Sequence, residues 1–238
     1  VTSGQAIGDA ETVTVVTESG AVLPADVIGH DPATDVSVIR VDQSTTPAVM
    51  AQASELEAGD TVALVNPSGG ATEHMVAEEA TTTVARGGQQ LVGVVSLDGE
   101  LGSTPPGSPA VDETGAVVGL TTATADAAVA VVPIELASTV ADELISSGSA
   151  DHPRLGVTFT DDASVAGALV AEVHDDGPAA AGGVLPGDVV VELAGIGVDS
   201  MAATIATLRT HRPGEVIEVI VRRDGEPVPC QVKLGADI

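Results

Sequence analysis

Residues 96–120, "SLDGELGSTPPGSPAVDETGAVVGL", combine a proline-rich loop sequence with a pattern typical of a β-hairpin. The loop, residues 102–109, is "GSTPPGSP" and consists of small residues and prolines. Apolar runs follow it on both sides of Glu113-Thr114-Gly115, a sequence typical of tight turns. The stretch therefore predicts a loop that leads into a β-hairpin turned at Glu113-Thr114-Gly115.

Strand patterns dominate the rest of the first 150 residues. "TVTVVT" (12–17) alternates, and "VSVIRV" (36–41), "LVGVVSL" (91–97) and "AAVAVVPI" (127–134) are short apolar runs that favour strands. Residues 71–90 are polar and weakly patterned, and predict a mobile loop followed by a strand.

One helix is predicted in this first part, over "ELASTVADELISSG" (135–148), with Gly148 as its C-terminal cap. Four apolar residues are expected on one face of that helix: Leu136, Val140, Leu144 and Ile145.

The pattern changes after a short linker at residues 149–156. Strands at 167–173 and 188–195 flank a small-residue stretch, a helix is predicted over 200–211, and a hairpin turns at Asp224-Gly225. Two modules are therefore predicted, residues 1–150 and 151–238. The first is mostly β, and the second is a small β domain with helices.

Charge and composition exclude several functions. The formal charge is −27, with 35 acidic against 8 basic residues, so the chain repels nucleic acids and anionic lipid surfaces. Cys230 is alone, which excludes an intramolecular disulfide and a cysteine-based metal site. No sequence motif indicates a metal or a cofactor, and we expect neither. No apolar run has the length of a membrane span.

Several segments, in order, resemble the high-temperature-requirement A (HtrA/DegP) family. These segments are "LPADVIGHDPATDVSVIRVD" (23–42), "LEAGDTVALVNPSGG" (56–70), residues 96–120, "RLGV" (154–157), "PAAAGGVLPGDVV" (178–190) and "VRRDGEPV" (221–228). The resemblance covers nearly the whole chain except the region near 71–90. It implies a mostly β fold: a trypsin-like double β-barrel, N-terminally incomplete in its first barrel, followed by a PDZ domain with two helices.

The resemblance also places the catalytic triad of the family. Asp35, in "ATDVSVI", falls on the family's Asp. "TSGQAI" (2–7) matches the segment that carries the His and has Gln5 at that position. The nucleophile motif, Gly-Asn-Ser-Gly-Gly/Ser-Pro, matches residues 104–109, so Pro106 takes the position of the Ser. Thr104 and Pro105 complete the oxyanion loop.

These substitutions predict a loss of catalysis. Glutamine has no titratable nitrogen and cannot act as a general base. Pro106 has neither a hydroxyl nor the backbone N–H that would stabilise an oxyanion, and Thr104 replaces the glycine that supplies the other donor. We expect a catalytically inactive pseudoprotease in which Asp35 caps a turn or accepts hydrogen bonds.

The PDZ-like module keeps the features of a peptide-binding groove. By resemblance, the loop Arg154-Leu155-Gly156-Val157 holds a ligand carboxylate, and the added strand lies along Thr158 and Phe159. Met201, Ile205 and Leu208 on the facing helix are candidates for the groove or for the core. Arg154 either draws the carboxylate or is a solvated linker residue.

Other interpretations remain open at this point. Ser108 could serve as the nucleophile of an active trypsin-like endopeptidase in a shifted register, or the chain could be a structural subunit of an envelope complex. The partner expected from the resemblance is a peptide or protein C-terminus, and a complex or homo-oligomer is possible. The resemblance implies an extracytoplasmic location with membrane anchorage through a segment upstream of Val1. The pairs Asp161-Asp162 and Asp175-Asp176 are expected to be solvated turn charges.

Overall fold

The computed structural model describes residues 1–17, 19–160 and 165–236, so Asp161-Asp162 lies outside the described residues. The chain divides into two compact units, Val1–Ala150 and Asp151–Ile238. Within the described residues, no helix is long and apolar enough to cross a membrane. The strand-rich architecture predicted from the sequence is confirmed.

The first unit begins with an open antiparallel sheet of four strands in the order β1-β4-β3-β2. Its strands are β1 (Thr2–Ser3), β2 (Thr12–Val16), β3 (Val22–Asp31) and β4 (Val36–Val41). A one-turn helix, α1 (Gly4–Ile7), follows β1, and the Ser3 hydroxyl caps it by accepting the Gln5 N–H at 3.1 Å.

Six further strands form a closed barrel in the order β10-β7-β6-β5-β8-β9. Their bounds are β5 (Thr61–Val65), β6 (Ala71–Val84), β7 (Gln90–Glu100), β8 (Pro109–Val111), β9 (Val117–Ala123) and β10 (Ala128–Pro133). A 3-10 turn (Ala53–Glu55) precedes the barrel, and helix α2 (Ile134–Ser147) follows it. Because the chain has no Trp or Tyr, Leu and Val fill the barrel, with Leu64, Val118 and Val129 fully buried.

The prediction of a mobile loop near residue 71 is wrong. Residues 71–84 form one strand, β6, which pairs with β5 and then with β7. His74 and Val76 are buried while Glu73 and Met75 are exposed, so only one face of the strand packs. Three register shifts along the pairing with β7 interrupt the alternation of polar and apolar residues and hide the strand in the sequence.

Helix α2 follows its prediction except at one residue. Leu136, Val140 and Leu144 are buried, and Gly148 ends the helix in the left-handed conformation with its N–H bonded to the Leu144 carbonyl at 2.9 Å. The placement of Ile145 on the buried face is wrong, since its side chain is 64% exposed. Ile145 lies one residue, about 100°, around the helix from Leu144, which turns it to solvent.

The second unit contains a five-membered path of strands, β12-β13-β14-β16-β17, with β15 paired to β14. The bounds are β11 (Pro153–Arg154), β12 (Val157–Thr160), β13 (Ala168–Val173), β14 (Val189–Leu193), β15 (Ile196–Gly197), β16 (Val216–Arg223), β17 (Glu226–Lys233) and β18 (Gly235–Ala236). Helices α3 (Pro178–Gly182) and α4 (Met201–Arg209) complete it. The predicted hairpin turn at Asp224-Gly225 is confirmed.

A buried ion pair fixes the start of β14 in this unit. Asp188 is 1% exposed and binds Arg223 through two hydrogen bonds of 2.7 Å each. Burial raises the pKa of the Asp188 carboxyl, but hydrogen bonds from Arg223 and from the Leu185 N–H outweigh burial and hold that pKa below its ordinary value. The pair therefore stabilises the folded unit when Asp188 is ionised.

We predict that Arg223→Met destabilises the second unit at neutral pH. Loss of the cation leaves the buried Asp188 carboxylate without its main partner, which costs about 2–3 kcal/mol. The measurement is urea unfolding of the whole chain, followed by circular dichroism. Because the folded pKa of Asp188 is depressed, the stabilisation is present above the unfolded pKa of about 3.9 and is lost as pH falls through the folded pKa.

The matched control is Arg222→Met on the same strand, because Arg222 is exposed and this change should shift stability by less than about 0.5 kcal/mol. Equal destabilisation by the two variants, or a difference that persists unchanged at pH values near 3, would contradict the role of the ion pair.

Candidate functional site

The Asp35 carboxylate is the centre of a buried hydrogen-bond network. Asp35 lies in the turn between β3 and β4, 5% exposed, with φ of 61°. Its oxygens accept hydrogen bonds from the Ser3 hydroxyl at 2.5 Å, the Gln5 N–H at 2.9 Å and the Thr122 hydroxyl at 2.7 Å. Since Thr122 belongs to β9, this carboxylate joins the open sheet to the closed barrel.

Gln5 takes part in the same network as a donor. Its Nε2 group donates to Asp35 Oδ2 at 3.3 Å and to Thr122 Oγ1 at 3.0 Å. Both hydrogens of the amide nitrogen are thus engaged, and this nitrogen has no basic lone pair that could accept a proton near neutral pH. The arrangement orients Gln5 but gives it no capacity for general-base chemistry.

In the first half of the loop that carries Pro106, no backbone N–H is free to bind a reacting oxygen. Pro105 and Pro106 have no N–H group. The Thr104 N–H donates to the Leu101 carbonyl at 3.1 Å. The two positions that the resemblance assigns to the oxyanion hole therefore offer no free donor.

The second half of the loop is fastened to β9 by one residue, Thr121. The Gly107 N–H donates to the Thr121 carbonyl at 2.7 Å, and the Thr121 N–H donates to the Ser108 carbonyl at 2.8 Å. The Thr121 hydroxyl accepts the Ser108 N–H at 3.1 Å and donates to the Pro105 carbonyl at 3.0 Å. From Thr104 to Ser108, every backbone N–H is thus donated within the protein.

Ser108 is in a buried structural position. It is 5% exposed, and its backbone is held on both sides by β9. The first unit contains two histidines, and both are engaged elsewhere: His30 Nδ1 lies 2.9 Å from Ser37 Oγ, and His74 Nδ1 lies 2.7 Å from the Asp98 carbonyl. No contact among the described residues joins Ser108 to a base.

Two threonines of β9 hold this geometry together. The sequence patterns did not identify them as functional residues. Thr121 and Thr122 are both fully buried in a strand that is otherwise apolar and small. A buried hydroxyl must find a hydrogen-bond partner, so adjacent threonines within a core strand are the signal that could have identified them.

The edge of β9 just beyond Thr122 is also occupied. The Arg86 N–H donates to the Ala123 carbonyl at 2.9 Å, and the Ala125 N–H donates to the Val84 carbonyl at 2.8 Å. The end of β6 therefore covers the strand edge that leads away from the Asp35 network. An extended polypeptide cannot pair there without displacing these bonds.

A second candidate site lies in the second unit, between β12 and α4. Among the described strands, β12 pairs with β13 and leaves its other edge open. Val157 and Phe159 are half-buried and pack on the core beside Met201, whereas Thr158 is exposed. The strand thus presents an apolar side toward the core and a polar side to solvent, with free backbone groups at its edge.

The loop before β12 carries the predicted carboxylate site. Leu155 is buried, and Gly156 adopts a φ of 74° that a glycine tolerates. The Gly156 carbonyl accepts the His174 N–H at 3.0 Å, while Val157 faces Val173 across the ladder. In this antiparallel register the Val157 N–H points away from β13, toward the open edge.

The predicted groove residues of helix α4 differ in their burial. Met201 and Ile205 are half-buried. Leu208 is 6% exposed and lies in the hydrophobic core, one of the two roles that the sequence left open for it. Thr204, which the sequence analysis did not single out, is fully buried on the same helix. Arg154 of β11 is exposed beside the loop.

The remaining chemistry-bearing residues give no further centre. Among the described residues, no group of three or more His, Cys, Asp and Glu side chains could hold a metal ion. Cys230 is buried in the core of the second unit, and burial raises the pKa of its thiol. This thiol is therefore not an activated nucleophile.

Comparison with known proteins matches both units to families. Residues 1–120 match the trypsin-like peptidase domain, and residues 153–234 match the PDZ domain. The fold predicted from the resemblance, a trypsin-like domain followed by a PDZ domain, is thereby confirmed.

Curated relatives cover nearly the whole chain. The chain is 30% identical to the serine protease PepD of Mycobacterium tuberculosis over 93% of its length, and 26% identical to the serine protease Do-like HtrA of Lactobacillus helveticus over 98%. It is 29% identical over 99% to a Halomonas elongata protein named "Probable periplasmic serine endoprotease DegP-like". The chain spans 53%, 64% and 53% of these three relatives, respectively.

Solved structures show the same fold. The HtrA-type protease AlgW with a tripeptide superposes with a TM-score of 0.67 at 23% identity, covering 100% of this chain and 85% of AlgW. AlgW with a decapeptide gives a TM-score of 0.64 at 24% identity, covering 100% of this chain and 79% of AlgW.

We predict that Asp35→Ala lowers the unfolding free energy of the first unit by about 2–4 kcal/mol, because it leaves several buried donors without an acceptor. Asp35→Asn should also destabilise the first unit, although asparagine tolerates the positive φ. Its amide N–H groups would face the donors of Ser3, Gln5 and Thr122, which need an acceptor. Hydrogen exchange at Ser3, Gln5 and Thr122 is the measurement.

The control is Asp26→Ala, which removes an exposed carboxylate that pairs with Arg40 at 3.3 Å, and which should cost less than about 1 kcal/mol. If both Asp35 variants were as stable as the Asp26 variant, the network would not hold the sheet and barrel together.

Proposed function

The chain belongs to the HtrA-type family, in which a trypsin-like peptidase domain precedes a PDZ domain, and from that premise we propose that it is a catalytically inactive member that binds polypeptides through its PDZ groove. We assign the protease-fold domain to residues 1–150 and the PDZ domain to residues 151–238. The chain would act as a scaffold, adaptor or chaperone.

The observation that carries the proposal is the state of the loop at residues 104–108. Pro106 occupies the nucleophile position without a hydroxyl, and every N–H of this loop is donated to a protein carbonyl or to the Thr121 hydroxyl. A base, a nucleophile and a free oxyanion donor are thus all missing from the positions where the family has them. Proteases that lose only triad members keep a residual acceleration of about 10³–10⁴ from the oxyanion hole and substrate binding. Here that source is missing as well, because Pro106 has no N–H and the Thr104 N–H is bonded to the Leu101 carbonyl.

The PDZ module supports the binding half of the proposal. The open edge of β12, the outward Val157 N–H and the half-buried Met201 and Ile205 together form the elements of a strand-addition groove. The same elements would serve a partner protein that docks its C-terminus.

We also propose an extracytoplasmic location. Its support is the name of the Halomonas elongata relative, "Probable periplasmic serine endoprotease DegP-like", together with the similarity to a Pseudomonas fluorescens protein of the same name.

We predict that the purified chain does not hydrolyse casein or unfolded reporter proteins above the rate of a buffer control. The physical reason is the missing base, nucleophile and oxyanion donors. The measurement is release of fluorescent fragments from labelled casein over several hours.

The matched variants are Ser108→Ala and Ser103→Ala, which remove a buried and an exposed serine of the same loop. Hydrolysis by the unchanged chain that disappears in Ser108→Ala but persists in Ser103→Ala would show that Ser108 is a nucleophile and would refute the inactive assignment.

A further inference from the structure

We propose that the β12–α4 groove selects polypeptide C-termini that carry cationic side chains upstream of the terminal residue. This inference rests on the peptide-binding function proposed above, and it names the class of ligand that the groove prefers.

The charge of the surroundings favours such a ligand. The whole chain has a formal charge of −27, and residues 151–238 carry 14 Asp and Glu against 6 Lys and Arg. A surface of one sign attracts ligands of the other sign and repels ligands of its own. An acidic peptide would approach this unit against its field.

Glu172 places a negative charge next to the groove itself. In the ladder, Glu172 of β13 lies directly opposite Thr158 of β12, and both side chains are exposed on the same face. A ligand strand added to the open edge of β12 would place every second side chain on that face. Such a side chain would lie about 10 Å, two strand spacings, from the Glu172 backbone, within reach of two long side chains extended toward each other.

The opposite face of the ligand meets different chemistry. Val157, Phe159 and Met201 each pack against the hydrophobic core of this unit, so ligand side chains on that face would meet apolar residues. The groove therefore separates two kinds of position along the ligand: apolar residues toward α4, and cationic residues toward Glu172.

The terminal carboxylate of the ligand would lie at the end of the groove formed by the loop at residues 154–157. Arg154 belongs to β11, directly before the carboxylate loop, and helix α4 packs against β11. The positive charge of Arg154 complements the terminal carboxylate at this end. The preference for cations consequently applies to the upstream residues on the Glu172 face and not to the ligand's last residue.

The test uses three fluorescein-labelled decapeptides that end in X-Ala-X-Val after a Gly/Ser leader, with X as Lys, Gln or Glu. The two X positions fall on the same face of an added strand. Fluorescence anisotropy with the whole chain should give a Kd about tenfold lower for the Lys peptide than for the Glu peptide at about 0.05 M salt, shrinking to about threefold at about 0.5 M salt.

Two variants with the same change of net charge separate a local effect from a global one. Glu172→Gln removes the charge beside the groove, while Glu226→Gln removes an exposed charge on β17, at the far edge of the sheet. We expect Glu172→Gln to reduce the Lys-to-Glu ratio at least twofold and Glu226→Gln to leave it nearly unchanged.

Each outcome bears on a distinct claim. Saturable binding of all three peptides with equal Kd values would overturn the charge selectivity and leave the proposed groove intact. Equal effects of the two variants would overturn the role of Glu172. Failure of every peptide to bind the folded chain would overturn the proposed function itself, together with this inference.

Discussion

The burial of the Asp35 carboxylate is the constraint on which the first unit depends. A carboxylate at 5% exposure needs compensating donors, and it finds them in β1, in α1 and in β9. These donors come from both the open sheet and the closed barrel, so the need to satisfy one charge fixes how the two parts meet. Gln5 serves this purpose as well as a titratable side chain would, because what the charge requires is a hydrogen-bond donor.

The contacts of the loop at residues 104–108 stabilise the fold. The loop at 104–108 is restricted by two prolines and fastened to Thr121 through four hydrogen bonds, which hold it firmly in the fold. The two oxyanion positions of the same loop offer no free donor, because Pro106 has no N–H and the Thr104 N–H is bonded to the Leu101 carbonyl. Gly107 shows how closely the loop packs: with a φ of 83°, a Cβ added there would lie 2.2 Å from the Thr2 hydroxyl. The position therefore accommodates glycine alone.

The sequence predicted what depends on ordered, well-spaced motifs, and failed where structure depends on pairing partners distant in the chain. Family order, two modules, the Gly148 cap and the Asp224-Gly225 turn all follow from local patterns. Strand β6 was missed because its register shifts break the alternation on which strand recognition relies. Thr122 was missed because its hydrogen bonds reach Gln5 and Asp35, which lie 117 and 87 positions away. Thr121 was missed because its partners lie in the loop 13 to 16 positions earlier, beyond the range of a local pattern. The prediction for Ile145 failed because the buried face assigned to helix α2 included one residue too many.

Stepwise repair of the site tests the central claim most directly. The chain should be compared with the double variant Gln5→His/Pro106→Ser and with the triple variant that adds Thr104→Gly, all checked for folding by circular dichroism. The rate of covalent labelling by a fluorophosphonate reports an activated serine. We predict no labelling of the unchanged chain, slow labelling of the double variant, and labelling about 10²-fold faster in the triple variant, in which the N–H at position 104 can turn toward the oxyanion. Labelling of the unchanged chain at the rate of the triple variant would contradict the claim that its catalytic chemistry has been lost.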